Sequence, residues 1–263
     1  MRCMFRDDDW VCNTIFPTFK TSLYTACIFP AFSTGTSMHI TYYGHSAFLI
    51  EVDGGAMLFD PFISENPFSK GKIDINDIKA DVVLVSHGHW DHTGDAVDIA
   101  KNNSVNILAN VEVAAWFEKK GAKTQDLNFG GKRDLGFASV RMVPAWHSSS
   151  MPDNSYGGNP AGFVVTHKNG TFYFSGDTAL SVEMGLIGER YQPDTAFLCL
   201  GDVYTMDLED AVHAAKLLNV KRVIGMHYDT FPDIALDKKA AIQAFKAIGV
   251  ELHLLPLHEK TAF

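Results

Sequence analysis

Beyond residue 37 the hydrophobic positions follow two periods that take turns along the chain. Residues 39–43, 47–52 and 56–59 are short runs rich in β-branched and aromatic residues, separated by Gly44 and by Asp53-Gly54-Gly55, and they predict three strands joined by tight turns. The wholly apolar Val82-Val83-Leu84-Val85 predicts a buried strand. Residues 95–101 and 111–120 then show helical spacing on either side of a strand at 105–108, with Gly121 placed to stop the second helix. The second half repeats the scheme. It predicts a strand at 139–143 and a hairpin of 163–166 with 171–174, turned by Lys168-Asn169-Gly170. A helix starting near Ala179, a strand at 195–200, a helix over 208–218, a strand at 222–226, a helix over 237–248 and a closing strand at 252–255 complete the series. Strands and helices thus recur in two similar runs, with no internal linker and no short-period repeat.

Residues 1–37 keep neither period. Their apolar stretch at 23–32 is broken by Thr25 and Pro30, and Asp7-Asp8-Asp9 opposes the positive start of a secretory signal. They read as an N-terminal extension outside the core, dispensable or derived from an upstream start codon, with the folded domain spanning 38–263.

Composition narrows the function classes. With 46% hydrophobic and 20% charged residues in 263, the chain can bury one full core. A formal net charge of −9 and the absence of a Lys/Arg-rich stripe argue against a nucleic-acid partner. Three of the four cysteines, Cys3, Cys12 and Cys27, lie in the extension and only Cys199 lies in the body, which is no disulfide framework and fits a reducing cytoplasm. No stretch is long and apolar enough to span a bilayer. The expected partner is a small-molecule substrate, and self-association into a homo-oligomer stays open.

The chemistry concentrates at Ser86-His87-Gly88-His89-Trp90-Asp91-His92, directly after the buried strand at 82–85. Neutral imidazoles and a carboxylate at this density suit zinc and neighbouring transition metals. Gly88 is expected to let the backbone fold tightly enough for His87 and His89 to converge on one ion, leaving Asp91 and His92 for a second. His147, at the end of the strand at 139–143, is a candidate further ligand, and His227 again stands where a strand gives way to a loop. Asp177 at the end of its hairpin either bridges two metals or caps the helix expected near Ala179. His45, in the first turn, is either a hydrogen-bonded structural histidine or a group that contacts substrate or supports a ligand. Asp60 is placed to cap or orient a ligand, and Asp202 and Tyr204 could face the site.

The ordered set His87-x-His89-x-Asp91-His92, then His147, Asp177 and His227, resembles the metallo-β-lactamase superfamily over residues 38–263. Tyr42-Tyr43-Gly44-His45-Ser46, Pro144-Ala145-Trp146-His147-Ser148-Ser149, Gly157-Gly158-Asn159-Pro160-Ala161-Gly162 and Met226-His227-Tyr228 are closer still to uncharacterised metal-dependent hydrolases of bacteria and archaea. Ascorbate-6-phosphate lactonases and N-acylphosphatidylethanolamine phospholipases are more distant. The resemblance implies an α/β (α+β) fold, a four-layer αββα sandwich with the site at one edge of two packed sheets. It also implies His87, His89 and His147 on a first metal, Asp91, His92 and His227 on a second, and Asp177 between them.

Two divalent ions, zinc first with manganese, iron or nickel as alternatives, would lower the pKa of a shared water toward about 7 and so supply a hydroxide nucleophile. Asp91 and His45 are the candidate catalytic residues, Asp91 for handling the proton. The expected reaction is hydrolysis of a small ester, lactone or phosphodiester. The rivals are cleavage of RNA, disfavoured by the acidic balance, and a metal-binding protein without turnover, disfavoured by the complete ligand set.

Overall fold

Alternation within each strand divides its side chains between two layers. In the computed structural model, which describes residues 38–263, Met57 and Phe59 face one way and Leu58 the other, as do Val82 and Leu84 against Val83 and Val85. The first set packs against a second sheet and the other set against helices. The expectation that residues 1–37 lie outside the core falls on residues beyond those described.

The first seven-stranded sheet has the order β14-β1-β2-β3-β4-β5-β6. It comprises β1 (His39–Gly44), β2 (Ala47–Val52), β3 (Gly55–Phe59), β4 (Val82–Leu84), β5 (Asn106–Asn110), β6 (Lys123–Leu127) and the C-terminal β14 (Lys260–Ala262). The second, also seven-stranded, has the order β13-β12-β11-β10-β9-β8-β7. It comprises β7 (Lys132–Asp134), β8 (Ala138–Pro144), β9 (Ala161–His167), β10 (Gly170–Phe174), β11 (Thr195–Cys199), β12 (Arg222–Met226) and β13 (Glu251–His253). Between them lies an aromatic core in which Phe59 stacks on Phe174 at 4.7 Å and Phe48 meets Phe197 edge-on at 5.1 Å. Burying each such ring contributes about 1.5–3 kcal/mol, so these inter-sheet pairs hold the two sheets together.

Helices cover the outer faces. Ile99 and Ala100 of α2 (Ala96–Asn103) and Val113 and Phe117 of α3 (Val111–Lys119) pack on the first sheet. Ala211, Ala214, Ala215 and Leu218 of α5 (Leu208–Leu218) join the core of the second, flanked by α4 (Glu183–Tyr191) and α6 (Lys238–Ala247). The layers are therefore helix, sheet, sheet, helix. Side chains start three of these helices: Asn110 accepts from Val113 N at 2.8 Å, Asp207 from Asp210 N at 2.8 Å, and Asp237 from Lys239 N and Ala240 N at 3.0 Å.

Five elements depart from the sequence reading. The helix expected near Ala179 begins at Glu183, with Val182 as its N-cap. The closing strand is β13 at Glu251–His253, and the chain continues into β14, which pairs antiparallel with β1. Strands β6 and β7 are also additional.

Strand direction sets the position of the site. β1, β3 and β4 point one way because β1 and β3 are each antiparallel to β2 and β4 is parallel to β3. β8 and β10 are both antiparallel to β9, and β11 and β12 are parallel to β10. His45 follows β1, Asp60 follows β3 and His87 follows β4. His147, Asp177 and His227 come shortly after β8, β10 and β12. Two links join these loops across the sheets: Ala161 N donates to Ser86 O at 3.0 Å, and His227 N to His45 O at 2.7 Å.

Candidate metal centre

After β4 the chain passes His87 and Gly88, and His89 caps a single helical turn, α1 (Trp90–Thr93), that carries Asp91 and His92. The glycine is needed for close approach, not for a left-handed turn. A Cβ on Gly88 would meet Met151 Sδ at 2.6 Å and the Ser150 backbone at 3.1 Å, so it lets the segment after His147 pack against the His87 strand end.

The side chains form three overlapping groups, each with donor atoms within 4.8 Å of one another and able to hold a metal ion: His87, His89 and His147; His45, Asp91, His92 and His227; and His87, His92 and Asp177. Asp177 is the common point. Its Oδ2 lies 2.9 Å from His227 Nε2, 3.2 Å from His92 Nε2, 3.7 Å from His147 Nε2 and 4.0 Å from His87 Nε2. Its Oδ1 is buried without a hydrogen-bond partner, as is His92 Nε2 by hydrogen-bond geometry. Buried polar atoms are nearly always satisfied, and a cation is the partner these donors fit. Since the helix starts six residues later, Asp177 does not cap it.

Asp60 organises the ligands from below. Fully buried, it accepts from Ser86 N at 2.7 Å through Oδ1, and its Oδ2 receives Ser86 Oγ at 2.6 Å and His92 Nδ1 at 2.8 Å. The Ser86 hydroxyl has one proton and gives it to Asp60, so at 3.0 Å it accepts from His87 Nδ1–H. That assigns the lone pair of His87 to Nε2, which lies 2.9 Å from His89 Nδ1. One carboxylate thus aims histidines of two groups.

His45 is fully buried and has left-handed backbone geometry, φ 60°. Its Nδ1 pairs with Thr230 Oγ1 at 3.0 Å and its Nε2 with Asp91 Oδ2 at 3.1 Å. It does not line the cavity, and any influence on substrate passes through Asp91.

Burial pushes His87 well below the usual imidazole value, lowers His89 and His147, and brings His45 down to about 4. For Asp91, burial acts upward but is outweighed by the His45 hydrogen bond and by His92 and His45, which hold it below the usual carboxylate range. Asp177 is likewise held well below, since His227 and His92 overcome its burial. His92 is the exception: burial opposes, yet Asp177 and Asp60 raise it well above the usual value. Two carboxylates therefore call for positive charge where His92 and Asp177 meet, while His87, His89 and His147 remain neutral and free to donate to a cation.

Above the cluster opens a cavity of about 430 Å³, lined by His89, Asp91, His147, Asp177 and His227 and by Trp90, Ser148, Tyr204, Phe231 and Asp233. Tyr204 faces the site as expected, whereas Asp202 does not line it. Ser86, Thr230, Trp90, Phe231 and Asp233 went unread as site residues. Ser86 and Trp90 were legible as neighbours of the histidines, while Thr230, Phe231 and Asp233 reach the site through a loop whose path the sequence does not reveal.

With its sheet edge occupied by imidazoles and carboxylates, the αββα sandwich is that of the metal-dependent hydrolases of the β-lactamase superfamily, and residues 39–227 match a beta-lactamase superfamily domain. Within that class the chain belongs to the UPF0173 metal-dependent hydrolases. It is 44% identical over 223 residues to one from Methylacidiphilum infernorum (isolate V4), covering 84% of this chain and 98% of that protein. It is 43% identical over 222 residues to one from Christiangramia forsetii, covering 84% of this chain and 98% of the relative. Among solved structures, Igni18, a metallo hydrolase from the hyperthermophilic archaeon Ignicoccus hospitalis KIN4/I, is 35% identical. It superposes with a TM-score of 0.79, covering 87% of this chain and 99% of that one. Among the described residues, no helix is long and apolar enough to cross a membrane.

Proposed function

We propose that the cluster is a dinuclear centre that hydrolyses a small ester, lactone or phosphodiester in the cytoplasm. His87, His89 and His147 are assigned to one ion, Asp91, His92 and His227 to the other, and Asp177 to both. The reading rests on Asp177, whose Oδ2 stands within 4.0 Å of four imidazole nitrogens while its Oδ1 is buried without a partner. Zinc suits these donors best, with manganese, iron or nickel as alternatives. When bound, such ions lower the pKa of water toward about 7 and polarise the scissile carbonyl or phosphoryl group.

The chain's own residues do the rest. Asp91 lines the cavity and is ionised, so it accepts the proton released as water attacks and returns it to the leaving oxygen. His45 is a positioning residue: neutral, with Nε2–H directed at Asp91 Oδ2, it fixes which carboxylate oxygen faces the cluster. His45 Nδ1 in turn rests against Thr230 Oγ1 at 3.0 Å, which holds the ring in place.

Elemental analysis tests the assignment. The protein is expected to carry about two metal equivalents, with His87→Ala or His147→Ala depleting one and His227→Ala the other. Full occupancy in all three variants would falsify it.

A further inference from the structure

The geometry points to a substrate that is uncharged away from its scissile bond, such as an ester or lactone bearing an aryl or alkyl group, and away from carboxylate-bearing substrates. This rests on the hydrolytic reading of the same cavity and narrows it. Its walls beyond the cluster carry the argument.

Among the described residues, those lining the cavity include no lysine and no arginine. A substrate with a negative charge remote from the scissile bond would find no cation to receive it. The one charged wall residue outside the cluster is Asp233, which would repel such a group. The cation nearest to Asp233 along the chain, Lys238 at the start of α6, is paired with Asp229 at 2.8 Å.

What the walls offer instead is aromatic surface. Trp90 is 52% exposed and Tyr204 56% exposed, large values for side chains beside a buried centre. Trp90 is braced edge-on by Phe62 at 4.9 Å and lies 6.1 Å from Phe231, so it presents a fixed apolar face. Exposed apolar surface concentrated at a cavity mouth marks a binding site. A cavity of about 430 Å³ accommodates a compact ester with one ring or short alkyl chain.

In the reaction, the oxygen of water bonds to the acyl carbon and the acyl C–O bond breaks. One water proton goes to the leaving alkoxide, giving acid and alcohol. The apolar group packs on Trp90 and Tyr204 while the carbonyl faces the ligand cluster.

The test compares three substrates on metal-replete protein: a 4-nitrophenyl ester of an uncharged phenylalkanoic acid, the same ester with a carboxylate on its ring, and bis(4-nitrophenyl) phosphate. The uncharged ester should have a kcat/KM about tenfold or more above its carboxylate analogue. Asp233→Lys should remove that preference without changing metal content. Tyr204→Ala should raise KM for the uncharged ester severalfold with little change in kcat, as expected for binding lost equally from ground and transition states. Equal or faster turnover of the carboxylate ester overturns the substrate class and leaves the hydrolytic centre standing. A preference unmoved by Asp233→Lys also overturns it. Bound metal with no turnover of any of the three overturns the hydrolytic reading and this inference together.

Discussion

Replacing Asp60 by Asn changes one atom and should disturb both halves of the centre. The carboxylate adopts φ 41°, a left-handed geometry that Asn tolerates well, so the backbone should stay in place. Oδ1 can still accept from Ser86 N, but Oδ2 now becomes either an amide nitrogen or a neutral oxygen. It currently receives Ser86 Oγ at 2.6 Å and His92 Nδ1 at 2.8 Å, and an NH2 group there would face two donors. Hydrogen bonds to charged groups contribute about 1.5–3 kcal/mol each, so losing both costs at least about 3 kcal/mol in the metal-free protein. For a domain of this size that lowers Tm by about 6–12 °C. The loss should spread to metal binding. His92 loses its support directly, and Ser86 turns its hydroxyl elsewhere, so His87 loses the acceptor that sets its tautomer. Loss of such supporting partners weakens metal affinity about 10–100-fold. Competition titration of zinc against a chromophoric chelator, with Tm followed on the chelated protein, reads both effects. Zinc affinity within twofold of the parent, together with an unchanged Tm, would refute the reasoning.

Asp177→Asn should lower metal content to about one equivalent and remove most turnover, since neutralising the shared carboxylate leaves two dications less well screened from each other; near-normal activity with both metals bound rules the bridge out. Gly201→Ala should cost about 1–3 kcal/mol by overpacking, because its Cβ would press on the His227 carbonyl and come within 2.9 Å of Nδ1. Its metal content should fall at the ion assigned to His227, and an unaltered Tm and content would show that the loop yields freely. A chain starting at Met38 is expected to match the full chain in melting temperature, metal content and hydrolysis, and insolubility or a much lower Tm places residues 1–37 in the core.

The elements legible in the sequence are those whose own side chains commit them. β2 opens with the unbroken apolar run Ala47–Ile50, and α3, α5 and α6 follow Asn110, Asp207 and Asp237, whose caps are local. β6, β7 and β14 escaped because they are polar or exposed edge strands, and their pairing is decided by the neighbour they reach. The candidate ligands stood out because imidazoles and carboxylates gathered at strand ends, and Asp60 could be read as an orienting group from its place after β3. The contact of His45 with Thr230 spans 185 positions, and the contact with Asp91 spans 46, so no local pattern distinguishes a buried support from a residue facing substrate. Gly88 was expected to shape its own turn, and its actual necessity comes from Met151 and Ser150, which only the folded chain brings near.

The strand ends that meet across the two sheets also make the centre a clasp. His87, His89, Asp91 and His92 follow β4 of the first sheet, whereas His147, Asp177 and His227 follow strands of the second. Neither set assigned to an ion can be completed by one sheet alone. An ion at 1,000 times its dissociation constant would therefore add about 4 kcal/mol to the docking of sheet on sheet, beyond what the phenylalanines supply. A chain in which the sheets have formed but not yet met in register would have nowhere to keep either metal, so tight retention of metal would report correct assembly before any substrate arrives.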